Sequence, residues 1–181
     1  MKTRLEDAEN GLTNRFRWLL SGLWNDLQIL DQRVAELDYE IEGIAQSDPV
    51  AKRLQQLRGV GPLIATALVA AVGHAEQFAN GRQMAASLGL TPKQHSSGGK
   101  DRLLGISKRG DAYLRSILIH GARSVIRTAK HKDDRLSQWV TSLAARRHPN
   151  VAAAALANKT ARIAWAMLRH GTDYQADRIA A

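Results

Sequence analysis

The residues best suited to chemistry in this 181-residue chain are Ser96, Ser97, Gly98 and Gly99, followed by Lys100, Arg102, Lys108 and Arg109. A serine hydroxyl is a weak nucleophile unless it is activated or faces a strongly polarised electrophile. A phosphodiester held by lysine and arginine is such an electrophile, because the cations offset the charge that develops on its oxygens in the transition state. Neighbouring glycines allow the backbone to approach the phosphate closely. Residues 91–132, which also include Lys93 and Arg115, hold ten Lys/Arg and only two acids, Asp101 and Asp111. Residue types alone leave two readings open: a phosphoryl-transfer loop with a nucleophilic serine, or a basic nucleic-acid-binding loop without catalysis.

Other chemistries lack their residues. The six histidines form no HExxH or comparable pair and have no acidic cluster beside them, so no metal site is expected. The basic half has no paired carboxylates for two-metal phosphoryl transfer. There is no P-loop and no GxSxG elbow. The absence of cysteine excludes disulfides and thiolate zinc sites.

The elements that must position the loop read as helices. Leu20, Leu23, Leu27, Leu30, Val34, Leu37, Ile41 and Ile44 alternate spacings of three and four, the a/d pattern of a coiled coil sustained over more than three heptads. One helix cannot bury such a stripe alone, so the pattern predicts either self-association through residues 16–44 or packing on the chain's own domain. The helix is expected to end near Gln46. "SDP" then supplies a cap and a first-turn proline for a second helix through "VAKRLQQL". "Gly59-Val60-Gly61-Pro62" separates it from the apolar run "LIATALVAAVG" and has the form of a helix-hairpin-helix turn, which offers backbone amides to a DNA phosphate. The same turn also serves as a tight packing connection. "NGRQMAASLGL" predicts a short helix, and "DAYLRSILIHGARSVIRTAKH", with Tyr113, Leu114, Ile117, Leu118, Val125 and Ile126 as candidate core, a longer one. "DDRLSQWVTSLAARR" and "HPNVAAAALANKTARIAWAMLRHG" predict two more, the last closing at Gly171. No segment alternates well enough to predict a strand.

The expected class is therefore all-α: a long coiled-coil helix over 1–46, a compact helical domain over 47–171 containing the helix-hairpin-helix-like turn, and a frayed tail over 172–181. Charge divides along the same line. Residues 1–50 carry ten acids against five Lys/Arg, whereas residues 51–181 carry 21 Lys/Arg against seven acids, within a net +9. Such asymmetry predicts a polyanionic partner for the C-terminal part. No apolar run reaches the roughly eighteen residues of a membrane span, and no signal leader is evident, so a soluble, cytoplasmic protein with no membrane partner is expected.

"LRGVGPLIATALVAAVG" and "FANGRQMAASLGLTPKQHSSGGKDRLLGISKRGDAYLRSILIHGA" resemble the C-terminal domain of the insertion-sequence transposases related to the pilin-gene invertase. These are the DEDD-type transposases described as bridge-RNA-guided recombinases. The resemblance covers roughly residues 14–171. It implies that the serine directly before the loop glycine, Ser97 (or Ser96 if the register shifts by one), forms a covalent link to DNA in strand exchange. It places Gly98, Lys108, Gly110 and Arg115 at recurring positions, and implies DNA and guide RNA as partners and assembly through the coiled coil. Gly59, Gly61, Lys93, Lys100, Arg102 and Arg109 complete the expected nucleic-acid contacts. Family members also carry an N-terminal RuvC-like domain whose four acidic residues bind Mg2+. This chain begins at the coiled coil, so no cofactor is expected in it and the isolated chain is expected to be inactive. Two further readings remain: a non-catalytic DNA-binding module that dimerises through the coiled coil, and a purely structural helical assembly protein.

Overall fold

A computed structural model describes residue 7 and residues 10–94 and 103–176. The chain divides into two compact units, residues 1–42 and 43–181. All helices are numbered here in chain order.

The first unit is built on α1 (Asn14–Ser47), which continues past its boundary. The Thr13 hydroxyl accepts from the Phe16 amide, and Arg17 reaches back to Asn10 Oδ1 at 2.6 Å and to the Leu12 carbonyl at 3.1 Å, fixing the helix start. Polar residues between the heptad positions make local surface contacts such as Arg33–Glu36 at 3.1 Å, which contribute little to stability. Six of the eight stripe residues are exposed, from 44% at Leu37 to 65% at Leu23, and Leu20 and Ile41 are half-buried.

The second unit is helical, with six further helices and one small hairpin among the described residues. Asp48 caps α2 (Pro49–Leu54) by accepting from the Val50 amide at 2.7 Å. α3 (Pro62–Val72) starts at Gly61 without a side-chain cap. Asn80 caps α4 (Gly81–Ser87), Asp111 caps α5 (Ala112–Ala129) and Asp134 caps α6 (Arg135–Arg146). α7 (Pro149–His170) begins at His148 and closes at Gly171 in the left-handed conformation. Each start thus carries a residue whose side chain satisfies a first-turn amide, Gly61 excepted.

α7 is the hub, packing against α2, α4, α5 and α6. Its buried face alternates alanines with Leu156, Met167 and Leu168. Gly81 lets α4 come close to α7: a Cβ there would lie 2.9 Å from the Arg162 carbonyl oxygen. Leu54, Leu68, Met84, Leu90, Val140 and Leu156 fill the core, each stabilising by roughly 1.5–3 kcal/mol through burial.

Two features differ from the sequence reading. A two-stranded antiparallel hairpin, β1 (Pro92–Gln94) and β2 (Leu103–Ile106), stands where only a loop was expected. Three and four residues are too few for a legible alternation, and the pairing comes from the tertiary anchor described below. Tyr113, expected in the core, is 57% exposed, whereas Leu114, Leu118 and Val125 are buried. Tyr113 follows directly on the helix start, with the α5 core face beginning one residue later. Among the described residues no helix is long and apolar enough to cross a membrane.

Candidate nucleic-acid interface

The residues joining β1 to β2, 95–102, contain Ser96, Ser97, Gly98, Lys100 and Arg102, all of which lie outside the described residues. The root from which they extend is described in detail. Two backbone segments, 87–91 and 107–111, run against each other. The Ser107 amide donates to the Thr91 carbonyl at 2.8 Å, Lys108 to Gly89 at 3.2 Å and Asp111 to Ser87 at 3.3 Å. This ladder continues into the strands, where Pro92 pairs with Ile106 and Gln94 with Leu103 across a one-residue irregularity.

Glycines make this approach possible. Gly110 has φ +90°, and a Cβ there would overlap the Ser87 carbonyl oxygen; Gly89 has φ +68°, and a Cβ there would overlap the Arg109 backbone. Both need the left-handed region and the space. Arg115 reinforces the root from α5, its Nη1 donating to the Leu88 carbonyl at 3.1 Å and to the Asp111 carbonyl at 3.4 Å. At least part of its guanidinium therefore positions the hairpin.

Lys93, Lys108 and Arg109 are exposed at the root, and among the described residues no ion pair engages them. Lys108 itself has φ +56°, a conformation that costs a non-glycine residue of order 1 kcal/mol or more and persists only where the surroundings impose it. The arrangement is a rigid stem with a cationic surface, suited to phosphate contacts.

The Gly-x-Gly turn separates into two roles. Gly59, with φ +81°, lies directly on Gly121 of α5: a Cβ on Gly59 would sit 2.6 Å from the Gly121 carbonyl oxygen and 2.8 Å from Val125 Cγ2. Packing accounts for Gly59. Gly61 is exposed, has φ −91°, and a Cβ there would meet nothing within 4 Å. Neither backbone strain nor packing requires a glycine at Gly61.

Sequence reading missed a polar cluster beside this turn, with Ser137 buried and Asp134 partly exposed. Arg58 Nη1 donates to Asp134 Oδ2 and to the Ser137 hydroxyl, both at 2.7 Å, and the Ser137 hydroxyl donates to Asp134 Oδ2 at 2.7 Å. Burial opposes ionisation of Asp134, but the hydrogen bonds from the Ser137 hydroxyl and amide and the Arg58 charge together hold its carboxyl below the ordinary value. Burial pushes the nearby Tyr174 phenol up, the Arg58 charge opposing and Asp134 reinforcing the shift. The only sequence signal was an acid at the start of α6, and its partner lies 76 residues away.

A basic trough along α7 was also not anticipated, because its residues come from separated helices. Arg82, Lys159 and Arg162 line it together with Trp139, Trp165 and His170. No group of three His, Asp or Glu among the described residues could hold a metal ion.

Residues 51–137 match the Transposase IS116/IS110/IS902 family. This family segment takes in α2 to the first turn of α6, and so contains the hairpin, its root, the Gly-x-Gly turn and the Arg58–Asp134–Ser137 cluster. The chain is 50% identical over 157 residues to a probable family 20 transposase of Pseudomonas aeruginosa, covering 87% of this chain and 46% of that protein. It is 44% identical over 165 residues to the transposase for insertion sequence element IS1111A of Coxiella burnetii, covering 91% and 45%. It is 39% identical over 154 residues to the transposase for insertion sequence element IS1328 of Yersinia enterocolitica, covering 85% and 46%. The chain thus spans about half the length of these curated relatives.

Proposed function

We propose that this chain is the DNA-binding, serine-bearing portion of a transposase of the IS116/IS110/IS902 type, acting in DNA transposition. The observation that carries the reading is the anchored hairpin: a root locked by Gly89, Gly110 and Arg115, presenting Lys93, Lys108 and Arg109 to solvent and leading into the segment that contains Ser96 and Ser97. The likeness to proteins named as transposases supports it.

In this reading the cations bind the phosphates flanking the scissile bond, Lys100 and Arg102 joining the three at the root. Ser97 Oγ attacks the phosphorus. An Oγ–P bond forms, the bond from phosphorus to the departing sugar oxygen breaks, and that oxygen takes up a proton in place of the one Ser97 gives up. The energy of the phosphodiester is kept in the protein–DNA link, so a second strand's hydroxyl can reverse the step and complete the exchange. A RuvC-like acidic domain with Mg2+ in the full-length enzyme would share this site, with a guide RNA as further partner. The exposed stripe of α1 would assemble copies of the protein.

Salt-dependent binding of the chain to duplex DNA tests the reading. Lys108→Glu/Arg109→Glu is expected to weaken binding about tenfold or more and to flatten the dependence of log K on log salt by about 1.8, for two phosphate contacts. Unchanged affinity and slope would favour a purely structural helical protein.

A further inference from the structure

The trough along α7 has no role in the reading above, and its composition asks for one. It encloses about 1010 Å³, at the upper end of the roughly 300–1,000 Å³ of small-molecule pockets. The helix contributes Lys159, Arg162 and His170 to its length, and Arg82 comes from the start of α4. The Lys159 ammonium sits 4.6 Å over the Trp139 ring. Trp165 is fixed by its Nε1 donating to the Phe78 carbonyl at 3.1 Å and by an edge contact to His170.

Arg82, Lys159 and Arg162 outnumber the acid that lines the trough. Asp173 is its acidic lining residue, and its carboxylate is engaged by Arg53 at 3.6 Å and Gln56 at 3.0 Å. Burial pulls the Lys159 ammonium below its usual range, and the like charge of Arg162 adds to this. An anion placed between these cations relieves both effects. Fixed indole rings beside cations are the elements with which proteins hold a single nucleic-acid strand, bases on the rings and phosphates on the charges. A duplex keeps its bases paired inside and cannot use the rings.

Position supplies the second argument. Asn158, which lines the trough, donates from Nδ2 to the Leu90 carbonyl at 3.2 Å. Leu90 lies within the hairpin root, one residue before the Thr91 carbonyl that starts the strand ladder. The helix that lines the trough is therefore hydrogen-bonded to the hairpin root.

We infer that the α7 trough, through Arg82, Lys159, Arg162, Trp139 and Trp165, binds a single strand of DNA that leaves the hairpin site. This rests on the DNA-binding reading of the hairpin. Strand exchange requires unpaired DNA close to the reacting phosphate, and a trough on the helix bonded to the hairpin root would keep that strand in reach.

The test uses the 181-residue chain, fluorescently labelled oligothymidylate, a mixed-sequence duplex and oligouridylate, with binding read by anisotropy over a salt series. Arg82→Glu/Arg162→Glu is expected to weaken oligothymidylate binding about tenfold or more and to flatten its salt slope by about 1.4 for two phosphates, while duplex affinity falls less than about threefold. Arg82→Gln/Arg162→Gln, with an unchanged thermal melt, should reproduce a smaller loss and so separate binding from misfolding. Unchanged oligothymidylate affinity in both pairs would overturn the inference, as would a loss confined to oligouridylate. If Lys108→Glu/Arg109→Glu leaves duplex binding intact while the trough pair weakens oligothymidylate, single-strand binding by the trough stands, and the hairpin assignment fails together with the strand's origin there.

Discussion

Replacing Gly110 by alanine tests the claim that the hairpin root is a built structure. Gly110 has φ +90°, and alanine in the left-handed region costs about 1–2 kcal/mol. Its Cβ would overlap the Ser87 carbonyl oxygen. That oxygen accepts from the Asp111 amide at 3.3 Å, so moving it away also removes a hydrogen bond of about 1 kcal/mol. Shifting packed backbone adds about 1–3 kcal/mol. The sum, about 3–6 kcal/mol, is a large share of the roughly 5–15 kcal/mol that holds a domain folded. It corresponds to a fall in melting temperature on the order of 10 °C for a chain of this size. Gly105 in β2 is the internal control, since a Cβ there meets nothing within 4 Å; Gly105→Ala should stay within about 0.5 kcal/mol of the parent. Urea denaturation followed by circular dichroism measures both. A Gly110→Ala protein as stable as Gly105→Ala would refute the close-contact account of the root.

Four further outcomes follow from named residues. Ser137 is fully buried between Arg58 and Asp134, so Ser137→Ala should cost about 1–3 kcal/mol in urea denaturation. The folded Asp134 carboxyl lies below its ordinary value, so its contribution is complete above about pH 3.9 and is lost as pH falls through the lower folded value. Asp134→Asn should flatten that acid limb, modestly because its side chain is 45% exposed. Gly59→Ala should destabilise strongly against Gly121, whereas Gly61→Ala should change stability by no more than about 1 kcal/mol; duplex-DNA titration of the Gly61 variant then tests whether that turn approaches a phosphate. Leu30→Glu, at a stripe position 62% exposed, should lower the oligomeric state by sedimentation without changing the melt of the second unit.

Helix order was legible because its signals are local. Pro49, Asn80, Asp111, Asp134 and Gly171 each mark a boundary through a nearby backbone group. What escaped depends on distant partners. The hairpin exists because Gly89 and Gly110 let two segments dock, and neither three-residue nor four-residue strand carries a period of its own. The same holds for Arg58, whose partners come from α6, and for the trough, where Arg82 and Lys159 meet only after folding. Arg115 stands among the nucleic-acid contacts expected from the sequence, and its hydrogen bonds to Leu88 and Asp111, which also tie it to the root, depend on partners brought together by folding. The heptad spacing of the α1 stripe is legible in the sequence, and six of its eight residues are exposed.

The central claim is that Ser97 forms a bond to DNA. The most direct measurement incubates the full-length enzyme with a DNA substrate whose leaving oxygen at the scissile phosphate is replaced by sulfur, so that the adduct cannot readily revert, and maps any cross-linked peptide by mass spectrometry. The account predicts a nucleotide on the peptide containing Ser97, absent in Ser97→Ala although duplex binding is retained. An adduct that persists in Ser97→Ala, or one that maps outside residues 95–102, would contradict it.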